Sequence, residues 1–161
     1  MKKVGKSSFL AVIPLLLWNL IFYSKLPEPY QSEGGWNKFP PVFSISEKVL
    51  LILTIAILFF LVIEVKHKLQ KVGLIFYAIG VILYLLSWIM QIYWPESVWS
   101  ISPFGFSAPA LSPFIWLIGL GMMSKVVNHK LKVLHPVYFM VMSLFILIHV
   151  FHALIVYYGL R

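Results

Sequence analysis

Apolar and polar positions alternate along this chain in long blocks, and four of the apolar blocks predict membrane-spanning helices. The hydrocarbon core of a bilayer is ~30 Å thick and needs about 20 mostly apolar residues per helix. The stretches 8–23, 49–65, 72–94 and 137–158 meet or approach this length. Ser44 and Glu47 precede the second stretch with the spacing of a capping box, which favours a helix start there.

The fifth stretch, 108–124, is less regular because it contains Pro109 and Pro113. A helix beginning at Pro113 would be too short to span, whereas one beginning near Ala108 has enough residues and a kink at Pro113. The distribution of charge favours the second interpretation. If 108–124 crosses the membrane, all three lysine clusters of the chain fall on the same side.

These clusters hold nine of the thirteen basic residues and lie between apolar stretches, as cytoplasmic loops do under the positive-inside rule. We therefore predict an all-α integral membrane bundle of five helices, with the N-terminus cytoplasmic, the C-terminus outside, and outer loops at 24–46 and 95–107. No small-x-small cleavage pattern follows the first helix, so we interpret it as uncleaved. The clusters are Lys2, Lys3 and Lys6; Lys66, Lys68 and Lys71; and Lys125, Lys130 and Lys132.

Composition supports a single membrane domain over residues 1–161 in the cell membrane. The chain is 61% hydrophobic and 11% charged, and a soluble domain of this size has too much surface to hide so many apolar side chains. The positive-inside rule explains the net charge of +8, because the lysines lie in the loops predicted to be cytoplasmic. We therefore expect membrane lipid and no nucleic acid as a partner. Cysteine and aspartate are absent, which excludes thiolate and Asp-dependent sites. We predict no metal site, and the cofactor is left undetermined.

Two helices carry polar side chains that lipid cannot solvate. In the third, Tyr77, Gly80, Tyr84, Ser87 and Gln91 recur at steps of three and four and share one face. Such a stripe turns toward other helices, either as packing contacts or as the wall of a cavity.

In the fifth helix, His149 and His152 lie one turn apart on the same face, and ionisable residues inside a membrane are candidates for function. The alternative is a pair of neutral contacts between helices. Asn19, Ser87, Gln91 and His152 fall in the predicted outer half of the membrane, with His149 at its border. This shared depth predicts a polar cavity that opens outward.

The leading functional hypothesis is a protein that binds a small amphiphile or lipid in a pocket among the first, third and fifth helices. His149, His152 and Gln91 would contact the polar end, Tyr84 and Trp88 would line the apolar wall, and Asn19 and Ser87 would lie at the same depth.

Two alternatives stay open. One is an intramembrane lipid-modifying enzyme with a histidine base, for which Glu96, Tyr84 or Ser87 would be the catalytic partner. The other is a structural or immunity-type interaction protein, and a homo-oligomer is compatible with each hypothesis. Glu64 is expected to be a solvated carboxylate at the inner end of the second helix.

Overall fold

The computed structural model describes residues 6–31 and 40–159, and most of these are helical. Its helices and strands are α1 (Ile13–Phe22), α2 (Pro41–Leu58), β1 (Leu61–Ile63), α3 (Lys68–Tyr93), α4 (Pro103–Leu111), α5 (Pro113–Met123), β2 (Ser124–Val126) and α6 (Leu134–Gly159). Short 3₁₀ turns extend α1 at both ends, over Ser8–Ala11 and Tyr23–Lys25.

Five segments within the described ranges are long and apolar enough to cross a membrane, which confirms the predicted number. They are Ser8–Lys25, Pro41–Leu58, Lys68–Tyr93, Pro103–Met123 and Leu134–Gly159. The stretch predicted as one span over 108–124 with a kink at Pro113 consists of two short helices, α4 and α5, which meet at Ser112 just before Pro113. This segment begins at Pro103, where the Ser102 side chain caps the helix by accepting a hydrogen bond from the Gly105 amide, so the second loop is shorter than predicted.

The predicted bounds of the second helix, 49–65, are wrong by about two turns. The helix occupies Pro41–Leu58 and begins with a proline. Proline has no amide hydrogen, and at the first position of a helix an amide hydrogen would have no carbonyl partner within the helix. Ser44 and Glu47 therefore lie inside α2 and do not form a capping box. The part of the predicted first loop at 32–39 lies outside the described residues.

The all-α prediction is wrong in one detail, because two short strands form a sheet. Strands β1 and β2 pair antiparallel, with Val62 opposite Lys125 at the centre, and Ser7 forms an isolated bridge with Val62. The pair joins the end of α2 to the end of α5. We call this end of the bundle, marked by Lys6, Lys66 and Lys125, the basic end. It closes over buried side chains, where the Ser8 and Ser124 hydroxyls are hydrogen-bonded at 2.6 Å.

Glu64 follows β1 and bridges two lysines at the basic end. Its carboxylate oxygens lie 2.8 Å from Lys66 Nζ and 2.6 Å from Lys125 Nζ. The hydrogen bonds from Lys125 and Lys66 lower the pKa of Glu64 from its ordinary 4.5 to about 2. Glu64 thus ties the two basic connections together, a role that its predicted position at a helix end did not suggest.

We expect the Glu64 contacts to stabilise the fold only above acidic pH. A carboxyl whose folded pKa is depressed stabilises above its unfolded pKa and loses this effect as the pH falls toward the folded value. The difference in thermal unfolding temperature between wild type and Glu64→Gln should therefore be present at neutral pH and vanish between pH 4.5 and about 2. Equal unfolding temperatures at neutral pH, or a difference that grows with acid, would contradict this interpretation.

Glycines allow α3 and α5 to pack backbone against backbone. A Cβ added to Gly80 would lie 2.3 Å from the Trp116 amide nitrogen, and one added to Gly119 would lie 2.2 Å from that of Tyr77. Gly73 meets α5 similarly closely near the basic end. The stripe predicted on the third helix is therefore in part a packing surface, in which small residues permit close contact between helices.

Helix α1 is attached less closely than the other spans. The backbone of α1 lies farther from the other spans than α3 lies from α5 or α2 from α6. Two tyrosine side chains connect α3 to this part of the chain. The Tyr77 hydroxyl donates a hydrogen bond of 2.7 Å to the Ala11 carbonyl, and the Tyr84 hydroxyl donates to Asn19 Oδ1. The resulting space between α1 and the remaining helices forms the cavity described next.

Candidate functional site

A carboxylate and two imidazoles meet between α2 and α6. Glu47 Oε1 is hydrogen-bonded to His149 Nδ1, and Glu47 Oε2 lies 2.8 Å from His152 Nδ1. The His152 side chain is 1% exposed, that of Glu47 13% and that of His149 23%. We call Glu47, His149 and His152 the Glu–His trio. It places three ionisable groups together in a mostly apolar setting.

The trio has a defined hydrogen-bonding chemistry. An ionised carboxylate only accepts, so each Nδ1 that bonds to it carries a hydrogen and donates. The basic lone pair of a neutral imidazole then lies on Nε2. The ring of Phe145 stacks on that of His149, with centroids 5.3 Å apart, and helps to fix its orientation. An imidazole that a carboxylate orients in this way can exchange protons with a neighbouring group.

A cavity of about 390 Å³ lies beside the trio, within the ~300–1,000 Å³ range of small-molecule pockets. All five spanning segments contribute to its wall, which differs from the predicted pocket among the first, third and fifth. Most of its lining is apolar, including Leu15, Leu58 and Leu117. Glu47 and His149 line it, whereas His152 lies behind them.

A second polar group lies on another wall of the cavity. Asn19 accepts the hydrogen bond from Tyr84, and both residues line the cavity together with Trp116. The indole N–H of Trp116 is buried and has no hydrogen-bond acceptor among the described residues. Because an unpaired buried donor costs about 1–3 kcal/mol, Trp116 is a candidate donor to a bound molecule.

The structure brings together some of the predicted site residues and separates others. Asn19, Tyr84, Trp88 and His149 line the cavity, and His152 joins it through Glu47. Ser87 instead donates to the Tyr84 carbonyl within its own helix.

Gln91 is also placed away from this cavity. Its amide donates to the Gly105 carbonyl at 2.9 Å and fastens α3 to the start of α4. It lines a separate cavity of about 420 Å³, which Pro27, Tyr30 and Tyr157 also border.

Sequence reasoning missed Glu47, the residue that organises the site. The misplaced second helix assigned it to a capping box at the helix start, and Glu96 was the carboxylate among the partners named for a histidine base. Glu96 is exposed beyond the end of α3 and is not part of the trio. The available signal was that two histidines within a long apolar stretch need polar partners, and that a helix beginning at Pro41 would include Glu47.

Fold and site together describe a mostly helical protein with five helices suited to a membrane and a cavity beside a buried acid–base group. Comparison with known proteins adds no family to this description. No protein-family model matches the chain, and no curated protein or solved structure is significantly similar to it.

Proposed function

We propose that this chain is a multi-pass protein of the cell membrane, with its basic end in the cytoplasm. The lysine clusters support this orientation under the positive-inside rule. The exposed surface supports the environment, because large apolar side chains such as Leu20 and Leu147 are 79% and 66% exposed. Lipid solvates such a surface, whereas water would favour its burial.

Within that membrane protein, the cavity binds a small amphiphile or a lipid. The single observation that carries this proposal is an apolar cavity with the Glu47–His149 pair in its wall. Ligand pockets typically combine mostly apolar walls with a few polar groups that orient the ligand. The polar end of the amphiphile lies in the part of the cavity where Glu47 and His149 contribute to the wall, and its chain contacts the leucines toward the basic end, where the strand pair closes the bundle.

Filling the cavity tests this function with a matched pair of substitutions. Leu16 lines the cavity, whereas its neighbour Leu17 is 51% exposed and does not. In nanodiscs, we expect saturable binding of tritiated oleic acid or monooleoylglycerol to the full chain. Leu16→Trp should weaken this binding about tenfold or more, because the larger side chain occupies the ligand's space.

The Leu17→Trp variant is the control and should bind as wild type does. Thermal unfolding of both variants checks that they fold. Equal binding by wild type and folded Leu16→Trp would contradict the proposed cavity, as would the absence of saturable binding to wild type.

The Glu47–His149 hydrogen bond also favours a second candidate function, that of a lipid-modifying enzyme. Glu47 would orient the imidazole, and His149 would remove a proton from a hydroxyl group or water as its oxygen attacks the carbonyl carbon of a lipid ester. The acyl C–O bond of the ester would then break, and the imidazolium would return the proton to the departing alcohol. Mass spectrometry of the lipids recovered after incubation distinguishes the two functions. A chemically altered product that forms with wild type and not with His149→Gln would indicate the enzyme, whereas unaltered lipid indicates a binding protein.

A further inference from the structure

Lys48 is a cationic side chain at the edge of the cavity. It follows Glu47 in α2 and is about seven residues, or roughly 10 Å, into that helix. Lys48 lines the cavity and is also exposed, as is Tyr23 at the end of α1. Residues that are both cavity-lining and exposed mark the rim, so Lys48 and Tyr23 place part of this rim beside α2 and the end of α1.

The charges around the cavity are unequally compensated. Glu47 and Lys48 are its lining residues with full charges. Both carboxylate oxygens of Glu47 are engaged by imidazole nitrogens of His149 and His152. Lys48 has no ion pair among the described residues. An unpaired ammonium group within a membrane span is costly and favours an anionic partner.

From this arrangement we infer that the ligand of the cavity is an acidic amphiphile, a single apolar chain that ends in a carboxylate or a phosphate. This inference rests on the proposed function and specifies its ligand class. The acidic group binds Lys48 at the rim through a charge-assisted hydrogen bond. The chain extends inward along Leu16 and Leu51, and reaches the buried Leu58 near the basic end.

The two possible acidic groups, and a neutral group, are compared in one binding experiment. The full chain in nanodiscs of zwitterionic lipid is titrated with tritiated oleic acid, oleoyl lysophosphatidic acid and monooleoylglycerol, which share one chain. The variants are Lys48→Gln, Lys48→Arg and the control Lys25→Gln. Lys25 lies at the same end of the bundle and carries the same charge, but it does not line the cavity.

We expect Lys48→Gln to raise the Kd of the acidic probes about tenfold or more, since a hydrogen bond to a charged group is lost. Its effect on monooleoylglycerol should be small, Lys48→Arg should retain most of the acidic affinity, and Lys25→Gln should change none of the three. An effect confined to one acidic probe identifies the carboxylate or the phosphate as the natural group.

Two outcomes would contradict the inference that the ligand is acidic and would leave the proposed function intact. In the first, Lys48→Gln leaves the acidic probes unaffected, which means that Lys48 only extends its ammonium group toward lipid headgroups. In the second, it weakens all three probes equally. By contrast, if wild type binds none of the three saturably, the proposed function itself fails, so the two failures are distinguishable.

Discussion

Replacing Glu47 with leucine is expected to destabilise the protein. The substitution removes the acceptor of both imidazole donors and leaves His152, 1% exposed, without its carboxylate partner. A buried donor that loses its partner costs about 1–3 kcal/mol. Side chains find other partners in a denatured state that remains in an apolar environment such as a micelle, so we expect a total loss of about 2 kcal/mol.

The measurement is the free energy of unfolding in mixed micelles of detergent and dodecyl sulfate. Glu96→Leu is the matched control, because it makes the same change at an exposed glutamate and should have little effect. A triple variant, Glu47→Leu with both histidines changed to phenylalanine, should recover much of the lost stability, since replacing all partners by apolar groups removes the stranded donors. If Glu47→Leu is as stable as Glu96→Leu, the trio does not hold α2 to α6.

Substituting alanine for Gly80 is expected to destabilise the protein despite alanine's better helix propensity. Alanine favours a helix over glycine by about 1 kcal/mol, so the same change at an uncrowded position stabilises. At Gly80 the added Cβ would meet the Trp116 backbone at 2.3 Å, and a backbone cannot move aside as a flexible side chain does. Overpacking of this kind costs about 1–3 kcal/mol or more, which exceeds the gain in propensity.

Thermal unfolding of Gly80→Ala, Gly119→Ala and the double variant tests this packing. Each single variant should unfold at a lower temperature than wild type. The double variant should lose less than the sum of the two, because the first substitution already separates α3 from α5 at the shared contact. Gly159→Ala, at the exposed end of α6, is the control. A single variant as stable as wild type would mean that the two helices are not in backbone contact.

The number of apolar helices could be predicted from the sequence, because hydropathy and lysine placement each carry that information independently. The bounds of the second helix could not. The run that ends at Val65 is apolar apart from Thr54 and Glu64, and a short apolar strand is indistinguishable from a helical turn by hydropathy alone. Val62 and Ile63 pair with β2, and this partner is distant in the sequence.

The site was partly predictable for a related reason. His149 stood out because lipid does not solvate an imidazole, and that argument required a partner without identifying it. Glu47 could be assigned to the site only from the structure, in which α2 begins at Pro41. This start places the Glu47 carboxylate inside the helix and opposite α6. Gln91 has the same chemical character, yet its amide is used by the Gly105 carbonyl. The predicted depth of a polar residue in the membrane therefore does not distinguish a residue that lines a pocket from one that joins two helices.

Photolabelling tests the ligand-binding cavity most directly. Wild-type protein in nanodiscs is irradiated with a diazirine-bearing single-chain fatty acid, with and without excess unlabelled oleic acid, and the modified residues are identified by mass spectrometry. We predict that unlabelled acid suppresses labelling of cavity residues such as Leu16, Leu51 and Leu117, while labelling of the exposed Leu20 and Ile52 persists. If the cavity residues are unlabelled, or if excess acid suppresses both groups equally, the cavity is not a ligand site.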